Sequence, residues 1–264
     1  MSEETPQEED YFKIASCFVR GKNVLYAAAR FEKLYVDYYL HLKDNGIDIS
    51  SEHDDIFKRG LAAFALHCVS QPSNQTLAWT VNFQDPLINV FLGGDTSTGD
   101  IVGRIFTENV KEADENVFYQ EVVRGKKPLR RSIVGFEGSD FLKAAEEYYL
   151  RSEQRPARFF ELEDDTFAIL TAHPDYDRDW FSSVTVDDVR VIATTEEISV
   201  LENRFLKWHC GCSMQRILEV LKPGWLQDKE ELFLGEEMIE VNCPRCAMKY
   251  RVTREMMEAY IKNG

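Results

Sequence analysis

Residues 210–216 read Cys-Gly-Cys-Ser-Met-Gln-Arg, and residues 243–250 read Cys-Pro-Arg-Cys-Ala-Met-Lys-Tyr. Two close cysteine pairs, thirty residues apart, can offer four sulfur ligands to one ion, because each short pair forms a tight turn that presents both of its sulfurs. Thiolates in a closed tetrahedron suit zinc. The pattern therefore predicts a structural Zn²⁺ site whose ligands are Cys210, Cys212, Cys243 and Cys246.

The residues around the two pairs have the pattern of a small folded module. Ser213 is placed to cap a helix, residues 238–241 and 248–252 have strand-like composition, and Thr253 is placed to cap a last helix. A module of about 55 residues buries little apolar surface, so a zinc ion that contributes an apparent ~10–16 kcal/mol would decide whether it folds. We predict that residues 210–264 form a zinc-binding C-terminal domain.

The first cysteine pair has a single intervening residue, which distinguishes it from the pairs of ordinary zinc fingers. A disulfide between Cys210 and Cys212 would close a small, strained ring, and strained disulfides are the labile and regulatory ones. Thiolates are also the species that oxidants attack. The spacing alone leaves two interpretations open: a permanent structural zinc, or a zinc that is released when the cysteines are oxidised.

The composition excludes several classes of protein. The chain has 264 residues, of which 44% are hydrophobic, so it can bury a core and is not disordered as a whole. Its 31 basic and 46 acidic residues give a net charge of −15, which argues against nucleic acid and anionic membranes as partners. We expect a soluble protein with neither kind of partner.

The N-terminus and the cysteine distribution indicate the compartment. Residues 1–10 form an acidic leader with five acidic residues and no apolar run, which is unlike a signal or transit peptide. No apolar stretch in the sequence reaches the length of a membrane helix. Since four of the six cysteines fall into close pairs, metal or redox chemistry in a reducing, cytoplasmic compartment is the expectation.

Residues 11–172 have the pattern of one mixed domain in which helices pack on a β-sheet. A hairpin is predicted at residues 12–28, a helix at 31–42, and a second helix that Ser51 caps. Further strands are predicted at residues 76–83, 88–92, 101–106, 117–123, 131–136, 158–162 and 166–171, and a third helix at 139–154. The fold class is therefore α+β.

Residues 173–209 are interpreted as an interdomain linker. The polar, turn-rich stretch at its start indicates a boundary, residues 189–193 have strand character, and Thr194 begins a sequence that fits a helix capping box. The chain is thus divided into an acidic leader, an N-terminal core domain, a linker and the cysteine domain.

Two motifs resemble the thirty-three-kilodalton heat-shock holdase chaperones. The patterns Cys-x-Cys-Ser-x-x-Arg at residues 210–216 and Cys-x-x-Cys-x-x-x-Tyr at 243–250 are similar to the redox-switch domain of that family. Residues 148–156, Tyr-Tyr-Leu-Arg-Ser-Glu-Gln-Arg-Pro, resemble a stretch near the end of the family's N-terminal domain. The resemblance extends over about residues 11–262, although the linker is shorter than is usual in the family.

This resemblance implies an ATP-independent holdase that oxidation activates. The reduced protein would bind zinc and be inactive. Oxidation would form the disulfides Cys210–Cys212 and Cys243–Cys246, release zinc, unfold the tail and its linker, and expose apolar surface. The implied partners are unfolded or partly unfolded client proteins, with a homodimer as the oxidised form. The alternative is a constitutive zinc-stapled binding module, for a protein or for RNA or the ribosome, without redox switching.

The other reactive side chains of the sequence favour simpler interpretations. Cys17 and Cys68 lie in a predicted strand and helix, where a buried, inert thiol is expected, and His67 is expected in the core. His209 adjoins the first pair, but four cysteines already complete a tetrahedron, so at most it supports a ligand. No acid/base pair, phosphate loop or hydrolase motif is present in the sequence, so we do not expect an enzyme.

Overall fold

The described part of the chain opens with the predicted hairpin, β1 (Phe12–Val19) and β2 (Val24–Arg30). The structure, a computed structural model, describes residues 11–125 and 127–263, so the predicted acidic leader at residues 1–10 lies outside the described residues. The next elements are α1 (Glu32–Asp44), α2 (Ser51–Val69), β3 (Thr76–Gln84), β4 (Leu87–Asp95), β5 (Asp100–Phe106), β6 (Asn116–Arg124), β7 (Lys127–Phe136), α3 (Phe141–Tyr148), a π-helical turn (Tyr149–Glu153), β8 (Ala157–Glu161) and β9 (Thr166–Ala172).

A ten-stranded sheet organises these elements and is completed by β10 (Ile198–Trp208). The strand order is β7-β6-β3-β4-β5-β10-β1-β2-β9-β8. Strand β10 pairs with β1 in antiparallel orientation along its length, but with β5 in parallel only through Lys207 and Trp208. The last residues of β10 thus join two antiparallel half-sheets, and the chain leaves the sheet directly into the first cysteine pair.

The main core lies between the sheet and the first three helices. Helix α2 packs against β4 and β5 in one half-sheet and against β1, β2 and β9 in the other. Strand β3 shows the predicted alternation, since Leu77, Trp79, Val81 and Phe83 are all fully buried. Among the described residues, no helix is both long enough and apolar enough to cross a membrane.

Helix α2 begins one residue earlier than the sequence indicated. The cap is Ser50, whose side chain accepts a hydrogen bond from the backbone N–H of His53, and Ser51 is already the first helical residue. Both serines can supply a capping oxygen. The one in extended backbone conformation is the cap, and only the structure shows which one that is.

The residues interpreted as a linker are folded. They form α4 (Arg178–Ser183), α5 (Val186–Thr195) and β10, and Val189 and Ile192 of α5 bury against the face of β2 and β9 that points away from the main core. The predicted strand at 189–193 is wrong, because α5 occupies these residues. The capping box at Thr194 is also wrong: the box is formed by Thr185 and Asp188, and the helix ends at Thr195.

The cysteine module contains the predicted elements. They are α6 (Met214–Gln227), β11 (Met238–Asn242), β12 (Lys249–Thr253) and α8 (Arg254–Asn263), and a short helix that was not predicted, α7 (Lys229–Phe233), follows α6. As predicted, Ser213 caps α6 through the N–H of Arg216, and the Thr253 hydroxyl accepts from the N–H of Met256 at 3.2 Å. The two strands form an antiparallel hairpin. The α+β fold class is confirmed.

Candidate metal centre

Four cysteine sulfurs converge between the module and the sheet. The Sγ atoms of Cys210, Cys212, Cys243 and Cys246 lie within 4.8 Å of one another, at 3.7 Å for Cys210–Cys243 and 3.6 Å for Cys212–Cys246. In a tetrahedral site with metal–sulfur bonds of about 2.3 Å, neighbouring sulfurs are about 3.8 Å apart. The donor set and its spacing therefore fit a tetrahedral thiophilic metal.

Two tight turns present these sulfurs. In the first, Gly211 has a φ of +64°, a backbone conformation that costs little for glycine. In the second, the N–H of Ala247 donates to the carbonyl of Cys243 and the N–H of Cys243 donates to the carbonyl of Met248 at 2.8 Å. Helix α6 begins just after the first turn, and strands β11 and β12 flank the second. The module's regular elements thus fix both pairs.

The arrangement is that of the reduced protein. All six cysteines are free thiols, and the shortest sulfur contacts join one pair to the other. The disulfides expected within the pairs, Cys210–Cys212 and Cys243–Cys246, remain predictions. Forming them requires each pair to turn away from its present cross-pair neighbour, since a disulfide bond is only about 2.05 Å long.

The electrostatics of the cluster indicate a need for a cation. Hydrogen bonds from Cys210 and Cys246 lower the pKa of Cys243 well below its usual range, and the contact with Cys243 raises the pKa of Cys210 to about 12. A thiolate at Cys243 would therefore be stabilised by the neighbouring thiols. Four thiolates at this separation would repel one another strongly, because like charges disfavour ionisation. A bound divalent cation would remove that penalty.

Polar side chains hold the cysteine turns in place. The Tyr250 hydroxyl donates to the Cys212 sulfur at 3.0 Å. Arg245 donates to the Cys210 carbonyl at 3.2 Å and Arg216 donates to the Gly211 carbonyl at 2.5 Å. Arg254, which follows strand β12, is paired with Glu230 on α7. Arg245 and Arg254 therefore both serve contacts within the module.

The N-terminal domain supplies the other wall of the centre, which the sequence did not predict. Val102 on β5 is fully buried in one apolar cluster with Cys243 and Cys246. Arg104, two residues further on the same strand face, donates to the Cys243 carbonyl at 3.0 Å, and Nε2 of His41 on α1 lies 2.7 Å from the Cys246 carbonyl. The one available signal was an arginine inside the apolar run Ile-Val-Gly-Arg-Ile-Phe at residues 101–106.

The remaining candidate residues lie outside the centre. Cys17 and Cys68 are buried in β1 and α2, and burial raises the pKa of each thiol. His67 is fully buried, as predicted, and its Nδ1 lies 2.7 Å from the Tyr149 hydroxyl. His209 pairs with Asp100 at 3.2 Å instead of facing the sulfurs. None of these four residues belongs to the metal-competent group of cysteines.

The motif at residues 148–156 has a structural role in this protein. The Tyr148 hydroxyl donates to the carboxylate of Glu153 at 2.5 Å, and Arg130 of β7 pairs with the same carboxylate. The Glu153 side chain is only 8% exposed and that of Arg130 is 38% exposed, so the pair lies at the edge of the protein interior. The π-helical turn brings the glutamate back toward Tyr148. The motif thus fastens α3 to β7, far along the strand order from the cysteines.

Replacing Tyr250 with phenylalanine is expected to weaken metal binding by about tenfold, because partners that hydrogen-bond to a ligand typically contribute that much to affinity. The variant Y250F loses the hydroxyl that donates to Cys212 and keeps the ring. Competition with a chromogenic chelator measures the affinity. The matched control is Y260F, whose ring packs in the module core. Equal affinities for Y250F and the unaltered protein would contradict the role of the hydroxyl.

Comparison with known proteins agrees with this centre. The family model described as Hsp33 protein matches residues 178–253, from α4 to β12. The 33 kDa chaperonin of Nitrosococcus oceani is 27% identical over 155 residues, covering 51% of this chain and 53% of that protein. The 33 kDa chaperonin of Caldanaerobacter subterraneus subsp. tengcongensis is 33% identical over 78 residues, covering 30% of this chain and 26% of that protein.

A solved structure extends the likeness to the whole fold. The 33 kDa chaperonin (heat shock protein 33 homolog) of Thermotoga maritima superposes with a TM-score of 0.73 at 17% identity, covering 95% of this chain and 98% of that one. The first of the curated relatives is matched over about half of its length. The family model falls on the cysteine module and its approach, where the four sulfurs meet, and together with the curated relatives and the shared fold it supports membership of the Hsp33 family.

Proposed function

We propose that the protein is a redox-regulated, ATP-independent holdase chaperone whose switch is a zinc ion held by Cys210, Cys212, Cys243 and Cys246. The observation that carries the proposal is the convergence of four free thiols at a packing centre between two parts of the molecule. Zinc, when bound there, would supply the charge that keeps four thiolates together. The relatives named 33 kDa chaperonin support the chaperone assignment.

Oxidation of the cluster is chemically balanced with a peroxide as the oxidant. Each pair of zinc-bound thiolates loses two electrons and forms one S–S bond, and each hydrogen peroxide takes up these electrons and two protons from solvent to give two water molecules. Two peroxides therefore convert the four thiolates into Cys210–Cys212 and Cys243–Cys246. Disulfide sulfurs are no longer thiolate ligands, so the ion would leave with the reaction.

The module would lose its packing together with the metal. Its own core has only a few fully buried apolar residues, and several large ones are already exposed, among them Val220, Leu226 and Leu234. The buried residues are Ile217, Leu218, Phe233, Val252 and Met257. Unfolding would add these side chains to an adaptable apolar surface for unfolded client proteins, while the charge of −15 would favour solubility.

The proposal is tested by light scattering from a thermally unfolding client protein. The protein is added either reduced with zinc or after peroxide at mildly elevated temperature, and zinc release and free thiols are counted in parallel. We expect suppression of scattering by the oxidised form, with loss of one zinc and four thiols. A C17S/C68A variant is the matched control, because it retains all four cluster cysteines.

Each alternative predicts a different result. Equal suppression by both forms would reject the switch, and absence of suppression in both would reject the holdase. Zinc that survives peroxide would favour the constitutive binding module. Static light scattering of the oxidised sample also tests the proposed homodimer, which would double the molar mass relative to the reduced protein.

A further inference from the structure

The second cysteine turn, residues 243–246, is held by donors from outside its own module. Arg104 reaches its first carbonyl at 3.0 Å and His41 reaches its last carbonyl at 2.7 Å. Both donors belong to the N-terminal domain, on β5 and α1, and lie 139 and 205 residues away in sequence. By contrast, Arg216 and Arg245, which hold the first turn, belong to the module itself.

The surroundings of Arg104 favour its hydrogen bond to the Cys243 carbonyl. Its guanidinium carbon lies 4.0 Å from the centre of the Phe106 ring, and its Nε is buried without a hydrogen-bond partner among the described protein atoms. Burial lowers the pKa of Arg104, while the nearby Cys243 and Cys246 act in the opposite direction. The half-buried Arg104 side chain donates to the Cys243 carbonyl and would lose this acceptor if the module moved away.

His41 is oriented by its own helix. The side-chain amide of Asn45 donates to the His41 carbonyl at 2.8 Å and lies 3.4 Å from Nδ1 of the same residue. Because the Cys246 carbonyl can only accept, Nε2 must carry the hydrogen. The ring also packs beside Trp208, with centroids 5.6 Å apart, at the end of β10. The Nε2–H group of His41 is therefore directed at the second cysteine turn by contacts that do not involve a metal.

We propose that Arg104 and His41 are positioning residues that dock the second cysteine turn on the N-terminal sheet and thereby set how readily Cys243 and Cys246 react. Fully buried Val102 supplies the apolar part of this contact. Cys243 and Cys246 are each only 2% exposed, whereas Cys210 and Cys212 are half-buried. A reagent reaches the second pair only when this contact opens. The inference deepens the proposed function, since it names what keeps the switch closed.

The test measures the alkylation rate of each cysteine in the full-length, reduced, zinc-loaded protein. N-ethylmaleimide is the probe, and mass spectrometry of digested samples taken over time gives one rate per cysteine. We expect R104A and H41A each to accelerate alkylation of Cys243 and Cys246 by about tenfold, since a charged or well-oriented hydrogen bond lost on opening changes the open population by about that factor.

Conservative variants separate positioning from general stability. H41Q keeps a donor near the position of Nε2, and R104K keeps a cation that can reach one carbonyl but does not stack on Phe106. We expect H41Q to restore a rate near that of the unaltered protein and R104K to give an intermediate rate. R131A is the matched arginine control, because Arg131 is 65% exposed on β7, four strands away from β5.

Cys17 and Cys68, both buried in the N-terminal domain, report whether a variant has loosened the whole protein. Unchanged rates for Cys243 and Cys246 in R104A and H41A would overturn the inference. Equal acceleration of Cys17 and Cys68 would also overturn it, because the effect would then be global. Neither oxidant nor client is present, so this result is independent of whether the protein proves to be a holdase.

Discussion

Removal of the proposed zinc ion from the reduced protein is expected to unfold residues 210–263 while the ten-stranded sheet stays folded. Among the described residues, the module's own core contains only five buried apolar side chains, and two of the four cysteines belong to the buried cluster that joins it to the sheet. Structural zinc contributes an apparent ~10–16 kcal/mol in small domains. The module's few buried side chains cannot replace a contribution of that size.

Hydrogen exchange measured by mass spectrometry tests this expectation directly. After treatment with a zinc chelator, peptides from α6, β11 and β12 should lose protection, whereas peptides from β3, β4 and α2 should keep it. The C17S/C68A variant should behave in the same way, since its cluster cysteines are intact. Protection of β11 and β12 that persists in demonstrably zinc-free protein would show that the module folds without metal.

Much of the fold follows from local patterns that the sequence displays. The alternation of Leu77, Trp79, Val81 and Phe83 marks a strand with one buried face, and all four residues are buried in β3. The two cysteine turns could also be predicted from the sequence, because metal sites commonly use closely spaced pairs of ligands and both cysteine pairs have that spacing. In both cases a few neighbouring residues carry the whole signal.

The errors fall where distant parts of the chain decide the structure. Residues 186–195 are rich in β-branched residues, which favours strands, yet they form α5 because Val189 and Ile192 lie on one helical face that covers the sheet. Strand β10 has exposed Val200 and Leu201, so its buried pattern is weak, and its place is fixed by pairing with β1. The contact between Arg104 and the Cys243 carbonyl joins residues 139 positions apart, and its one local sign is an arginine inside an apolar run.

Substitution of Trp79 by alanine is expected to destabilise the N-terminal domain severely. The indole is fully buried, and its ring centroid lies 4.9 Å from that of Phe118 and 4.7 Å from that of His67. Its Nε1 donates to the side-chain oxygen of Gln120, the directly paired residue on β6, at 2.7 Å. Loss of a core tryptophan costs about 3–5 kcal/mol. The Gln120 side chain, itself fully buried, would also lose its hydrogen-bond donor, which adds about 1–3 kcal/mol to the destabilisation.

A double-mutant cycle separates the hydrogen bond from the packing. W79F keeps an aromatic ring but leaves the Gln120 side chain without its hydrogen-bond donor. Q120L leaves the indole N–H without its acceptor, and W79F/Q120L removes both partners. Because replacing both partners of a buried hydrogen bond with apolar groups is often nearly neutral, the double variant should be more stable than the sum of the single losses predicts. Urea unfolding followed by circular dichroism gives the four free energies of unfolding, for the unaltered protein and the three variants. Strict additivity would mean that the Trp79–Gln120 bond contributes nothing, and the whole loss in W79A would then be packing.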